Sequence, residues 1–129
     1  MKGSIDENGR ALLTVQVAPD SESRPTAIEA WVDTGFTGDL VLPRKTIDTL
    51  ELRQSGSVDA ILADGSEIEV TTFTCFVDWF GDERRLEVIA NDGDYPLLGV
   101  GLLLGLELRA NYLAMELELG PAPLIPRPA

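Results

Sequence analysis

The sequence predicts an all-β domain, a compact barrel or sandwich with one or two short helices, and three observations predict it. Apolar residues recur at every second position over much of the chain, turn-forming residues interrupt those runs at short intervals, and helix-starting signals are scarce. Alternation of this kind puts successive side chains on opposite faces of a strand, one buried and one wet.

The elements follow in chain order. Leu13, Val15 and Val17 mark one strand, and Ile28, Ala30 and Val32 mark another, with a proline-bounded connection over residues 19–25. Pro43 suits the first position of a helix of one or two turns reaching Leu50. Residues 67–80 are dense in Thr, Val, Ile and Phe, which fit a pleated surface, and Gly81-Asp82 turns that run toward a strand over residues 86–90. A polar turn over residues 91–94 follows, then a segment suited to a second short helix over residues 100–104. After a turn at Asn111, Leu113, Met115, Leu117 and Leu119 alternate in a last strand. The expected domain is therefore residues 1–119. Residues 120–129 carry Pro121, Pro123, Pro126 and Pro128, which lack the amide donors a strand needs, so an extended, mobile tail is expected there.

Composition narrows the function. With 22 acidic and 10 basic residues the formal charge is -12, which opposes binding to nucleic acid and to anionic membrane surfaces. The nearly apolar stretch over residues 95–106 is shorter than the ~20 residues of a membrane-spanning helix, and Gly99, Gly101 and Gly105 interrupt it. Residues 1–10 hold no apolar stretch resembling a secretory signal, so a cytoplasmic location is expected. The single cysteine, Cys75, sits among Phe73, Phe76 and Val77 and reads as a buried thiol. There is no histidine, which removes Ser-His-Asp and Cys-His catalysis and the usual zinc sites. No serine stands in a Gly-x-Ser-x-Gly elbow, and only Lys2 and Lys45 could serve a Ser-Lys pair. No metal and no cofactor is expected, and any chemistry must rest on carboxylates.

One tripeptide stands out. Asp33-Thr34-Gly35 ends the apolar strand at Val32 and precedes Phe36-Thr37-Gly38 and a second apolar run at Leu40. A carboxylate at such a strand end can face a cleft, while Thr34 hydrogen-bonds locally and Gly35 permits a tight turn. Further on, residues 61–68 read as a hairpin whose Asp64-Gly65 pair suits its turn, and Pro96-Leu97-Leu98-Gly99 leads into the second helical segment.

In this order the three motifs resemble the retroviral-type, or retropepsin-like, aspartic peptidases, over residues 11–119. The resemblance implies a small closed barrel-like acid-protease fold in which Asp33, Thr34 and Gly35 form the catalytic loop. It also implies a flap hairpin centred on Asp64 and Gly65 that closes over a peptide, and support of the loop from beneath by Leu97, Leu98 and Gly99. Substrate contacts are then expected from Phe36 and Thr37 and from Leu62, Ala63, Asp64, Gly65 and Ser66. Two positions depart from the pattern: Gly101 stands where many relatives carry Asp or Asn, and Phe36 where they carry a small residue that leaves the cleft wider.

Hydrolysis by this route needs one carboxylate to take a proton from water and another to give one to the scissile carbonyl. Two adjacent carboxylates resist double ionisation and share a proton, which separates the roles. The chain holds no second Asp-Thr-Gly or Asp-Ser-Gly, so the partner acid is expected from a second copy across a twofold axis, in a homodimer acting on a peptide or protein. The resemblance implies terminal strands interleaved at that interface, here near Ile5 and over residues 112–119. Alternation alone leaves Leu113, Met115 and Leu117 equally compatible with subunit core. Two rival readings remain at this level: a catalytically inactive peptide-binding or dimerisation module of the same fold, and a carboxylate enzyme of another class such as a glycosidase.

Overall fold

The computed structural model describes residues 1–124. Ten strands form one sheet: β1 (Lys2–Ile5), β2 (Ala11–Ala18), β3 (Thr26–Val32), β4 (Leu40–Pro43), β5 (Arg53–Ile61), β6 (Glu67–Trp79), β7 (Asp82–Asn91), β8 (Leu97–Leu98), β9 (Leu106–Asn111) and β10 (Glu116–Pro121). One α-helix, α1 (Arg44–Leu50), follows β4, and a single 3-10 turn spans Val100–Leu102. The strand order is β5-β6-β7-β4-β8-β3-β2-β1-β10-β9, with an additional pairing of β6 with β2.

That extra pairing brings the path β2, β3, β8, β4, β7, β6 back to its start. It consists of three residue pairs, Gln16↔Asp78, Val17↔Val77 and Ala18↔Phe76, and the path runs through the two-residue strand β8. The all-β expectation holds, but where a closed barrel was expected the strands meet at this point through three residue pairs alone. So few pairs at the seam leave closure to side-chain packing more than to a continuous ladder.

Packing follows the alternation. Leu13, Val15 and Val17 of β2 and Ala30 and Val32 of β3 are buried, and they meet Leu40 and Leu42 of β4, Val77 of β6, Val88 of β7 and Leu98 of β8 in one cluster. Cys75 lies in the same core, where burial pushes its thiol up to about 12. Helix α1 starts directly after Pro43, buries Ile47 and stops at Glu51, whose left-handed backbone (φ 56) ends the helical hydrogen-bond run. The second helical segment is shorter than expected: three residues in a 3-10 turn, bounded by Gly99 and Leu103.

The C-terminal third departs most from the sequence pattern. Residues 112–115 are a hairpin turn, not strand. Asn111 Oδ1 accepts the amides of Leu113 and Ala114, at 3.0 Å each, and Met115 takes a positive φ of 58. This turn chemistry overrides the apolar alternation and leaves Leu113 96% exposed, while Leu117 and Leu119 point into the core. The first strand of that hairpin, β9, is hidden in the sequence because Leu106 and Leu108 follow directly on a continuous apolar run. Strand β10 also continues through Gly120 and Pro121, opposite Glu107 and Leu106, so the ladder outlasts the expected domain end at residue 119. Of the proline-rich tail, residues 125–129 lie outside the described residues. The segment at Ile5, expected to interleave with another copy, is paired within its own chain on both sides, to β2 and to β10. Among the described residues no helix is long and apolar enough to cross a membrane.

Candidate active site

Strand β8 is what assembles the site. It runs parallel to β3, with Trp31↔Leu97 and Val32↔Leu98, and antiparallel to β4, with Leu40↔Leu98. The loop of residues 33–39 joins those two flanking strands and so must cross over the end of β8. Ladder bonds continue into the loop: the Trp31 amide donates to Pro96 O at 2.9 Å and the Asp33 amide to Leu98 O at 2.8 Å.

Within the loop the backbone turns tightly, the Phe36 amide donating to Asp33 O at 3.1 Å. The Gly35 amide donates to Asp33 Oδ1 at 2.9 Å, which fixes the carboxylate relative to its own loop. A Cβ at Gly35 would lie 3.2 Å from that oxygen, so a glycine leaves the approach clear. Asp33 is half-buried, while Thr34, Gly35 and Thr37 are exposed. The local hydrogen bond expected of Thr34 is not made: its hydroxyl has no partner among the described residues.

Beneath the loop, three successive amides point upward. Gly99 donates to Asp39 O at 2.9 Å, Val100 to Phe36 O at 2.8 Å and Gly101 to Gly38 O at 3.0 Å. A Cβ at Gly99 would lie 2.2 Å from Gly38 O and 2.8 Å from Phe36 O, so only glycine allows this approach. The Phe36 ring is lodged against the loop's own base, with ring atoms 2.5 Å from where Cβ atoms at Gly38 and Gly99 would stand. The support is itself anchored, because Trp79 Nε1 donates to Leu102 O at 3.0 Å in the interior.

Residues 62–66 form the tip of the β5–β6 hairpin. The Leu62 amide donates to Ser66 O (2.8 Å), and the Gly65 amide, at φ +85, donates to Leu62 O (2.9 Å). Asp64 Oδ1 accepts both the hydroxyl and the amide of Ser66, and these bonds, the hydroxyl first, hold the Asp64 carboxyl below its ordinary range. Ala63 shares the same exposed tip. The fold thus brings Asp33, Gly35 and Phe36 onto Leu97, Leu98 and Gly99, and leaves Leu62 to Ser66 apart, with no hydrogen bond between tip and loop among the described residues.

Two groups beside this frame escape the sequence motifs. The register Val58↔Val70 and Ala60↔Ile68 puts four apolar residues on one hairpin face, while Asp59↔Glu69 occupies the other. Trp31 shares the outward side of β3 with Asp33, since the intervening Val32 points inward. It meets Tyr95 edge-on at 6.0 Å, and the Arg10 guanidinium lies 4.5 Å from the Tyr95 ring centre while bonding Asp6 at 2.7 Å. The available signal was a large aromatic at an outward position two residues before Asp33.

A half-buried aspartate on a strand-end loop, a glycine-dependent support beneath it and a long exposed hairpin together define the architecture. The fold is that of the retropepsin-like aspartic proteases. A crystal structure of a retropepsin-like aspartic protease from Rickettsia conorii matches with a TM-score of 0.65 and 21% identity over 94% of this chain and 89% of that one. The EIAV protease complexed with an inhibitor matches with a TM-score of 0.53 and 18% identity over 76% of this chain and 88% of that one. By sequence, no family model and no curated protein matches the chain.

Proposed function

We propose that this protein is an aspartic endopeptidase that works as a homodimer, its two Asp33 carboxylates flanking one water. The observation that carries the reading is the Asp33 carboxylate itself, oriented by the Gly35 amide and held at the end of β8 within a retropepsin-like fold. In the proposed reaction one Asp33 is ionised and its partner protonated. The ionised carboxylate takes a proton from water as the water oxygen bonds to the scissile carbonyl carbon, and the protonated partner gives its proton to the carbonyl oxygen. The resulting tetrahedral diol collapses: the C–N bond breaks, the amine leaves with a proton from one carboxyl, and the surplus hydroxyl proton returns to the other. Thr34, exposed beside Asp33, faces the second copy. The hairpin tip, Leu62 to Ser66, closes over the peptide, with Phe36 and Thr37 bordering the cleft and Trp31 and Tyr95 flanking it.

The test is cleavage of a peptide library between mildly acid and neutral pH, alongside sedimentation of the same protein. Asp33→Asn is expected to lower cleavage by at least about 10²-fold, the contribution typical of a positioned acid or base, while the particle stays dimeric. Cleavage by a strictly monomeric particle, or cleavage indifferent to Asp33→Asn, would sink the proposal. A dimer that binds peptides and cleaves none would instead be the inactive module.

A further inference from the structure

We infer that Asp39 is a positioning residue: its carboxylate occupies the space left by the absent side chain at Gly101 and seats the returning limb of the Asp33 loop on its support. The inference rests on the reading of Asp33 as the catalytic acid. The geometry is direct. A Cβ built on Gly101 would fall 2.1 Å from Asp39 Oδ1 and 3.1 Å from its Cγ, so the carboxylate already stands in the place of that side chain. The main chain of the same limb is held too, because Asp39 O accepts the Gly99 amide at 2.9 Å and Gly38 O accepts the Gly101 amide at 3.0 Å. Asp39 is half-buried and leads directly into the fully buried Leu40 of β4, so its position sets where the loop re-enters the sheet.

The two support glycines differ in what they make room for. At Gly99 the obstructing atoms include the carbonyls of Gly38 and Phe36, which no side-chain change can remove. At Gly101 the first obstruction is a side chain, with the Gly38 carbonyl at 3.0 Å behind it. Gly99 is therefore required by the backbone path, whereas at Gly101 the Asp39 carboxylate is the first group a side chain would displace. The missing polar group at residue 101 and the presence of Asp39 are then one arrangement, with the filling group supplied from the loop side.

Moving the group back tests this. Gly101→Asn alone is expected to dislodge Asp39, lowering kcat about 10-fold with KM within about twofold, as a small misplacement of a catalytic loop does. Asp39→Gly alone empties the same space and is expected to lower kcat comparably. Combining them, D39G with G101N, refills it from the support side and should return kcat to within about threefold of the unsubstituted protein, with melting temperatures of the four proteins coupled in the same sense. Asp39→Asn, which keeps the shape, should rescue most of the activity lost in Asp39→Gly. Additive effects on melting, or an Asp39→Asn variant as impaired as Asp39→Gly, would overturn the inference. Coupled melting temperatures in a protein that cleaves nothing would confirm the contact and overturn the positioning role together with the catalytic reading of Asp33.

Discussion

The Asp33 loop with its support and the β5–β6 hairpin sit in one sheet and are built on opposite principles. Around the loop, Leu98 and Leu102 are fully buried, and three consecutive amides of residues 99–101 end on loop carbonyls. In the hairpin every residue of β5 but Ala60 is exposed, and its tip is held by its own turn alone. Under the proposed function, a loop that presents a carboxylate in one orientation benefits from over-determination by backbone, whereas a hairpin that admits and releases a peptide must open at little free-energy cost. The difference implies that substitutions in the base act on global stability and those in the hairpin act locally.

Four changes sharpen or break that contrast, beginning with the largest. Leu98→Ala removes a fully buried side chain between β3 and β4 and should cost about 4 kcal/mol in chemical denaturation. Retention of stability within about 1 kcal/mol would mean the base is not the tightly packed half. Gly99→Ala should cost about 3 kcal/mol, because its Cβ meets the Gly38 carbonyl at 2.2 Å and the loop must shift. Peptide cleavage should fall with it, and an unchanged rate would show that the loop position tolerates displacement. Gly65→Ala has open space around it but a φ of +85, so a cost of about 1 kcal/mol is expected, confined to the hairpin. Hydrogen exchange should quicken at residues 58–70 and stay unchanged at the amides of Asp33 and Val100. Smallest is a pH effect at the tip. The Asp64 carboxyl is lowered by its bonds from Ser66, so in the unfolded chain it titrates at its higher, ordinary value of 3.8. The turn's stabilisation is therefore complete above that value and is lost as pH falls through the folded one. The Ser66 amide resonance should report a midpoint below 3.8, and a midpoint at or above it would show that the bonds are not made in solution.

Much of the loop and its support was readable beforehand, because each part is local. The strand ending in Val32, the tight turn that Gly35 permits and the Leu97-Leu98-Gly99 step all announce themselves within a few residues. The Asp64-Gly65 turn is legible for the same reason, since Gly65 does take a positive φ. The errors arise where a local rule competed with another. Leu113 and Met115 satisfied the alternation, but Asn111 captured the next amides and made a turn. The Ile5 segment, expected by resemblance to take part in a twofold interface, pairs within the single chain with β2 and β10.

By itself the amino-acid order determined an all-β chain without histidine chemistry, carrying one aspartate at a strand end as its leading candidate for acid catalysis, because periodicity, turn residues and composition act over short spans. Only the tertiary structure decided that Arg10 and Tyr95 gather around Trp31, and that Asp39 fills the space over Gly101. Those contacts join positions far apart in the chain, and strand register, which side-chain packing across the whole sheet sets, selects among pairings that no short window can distinguish.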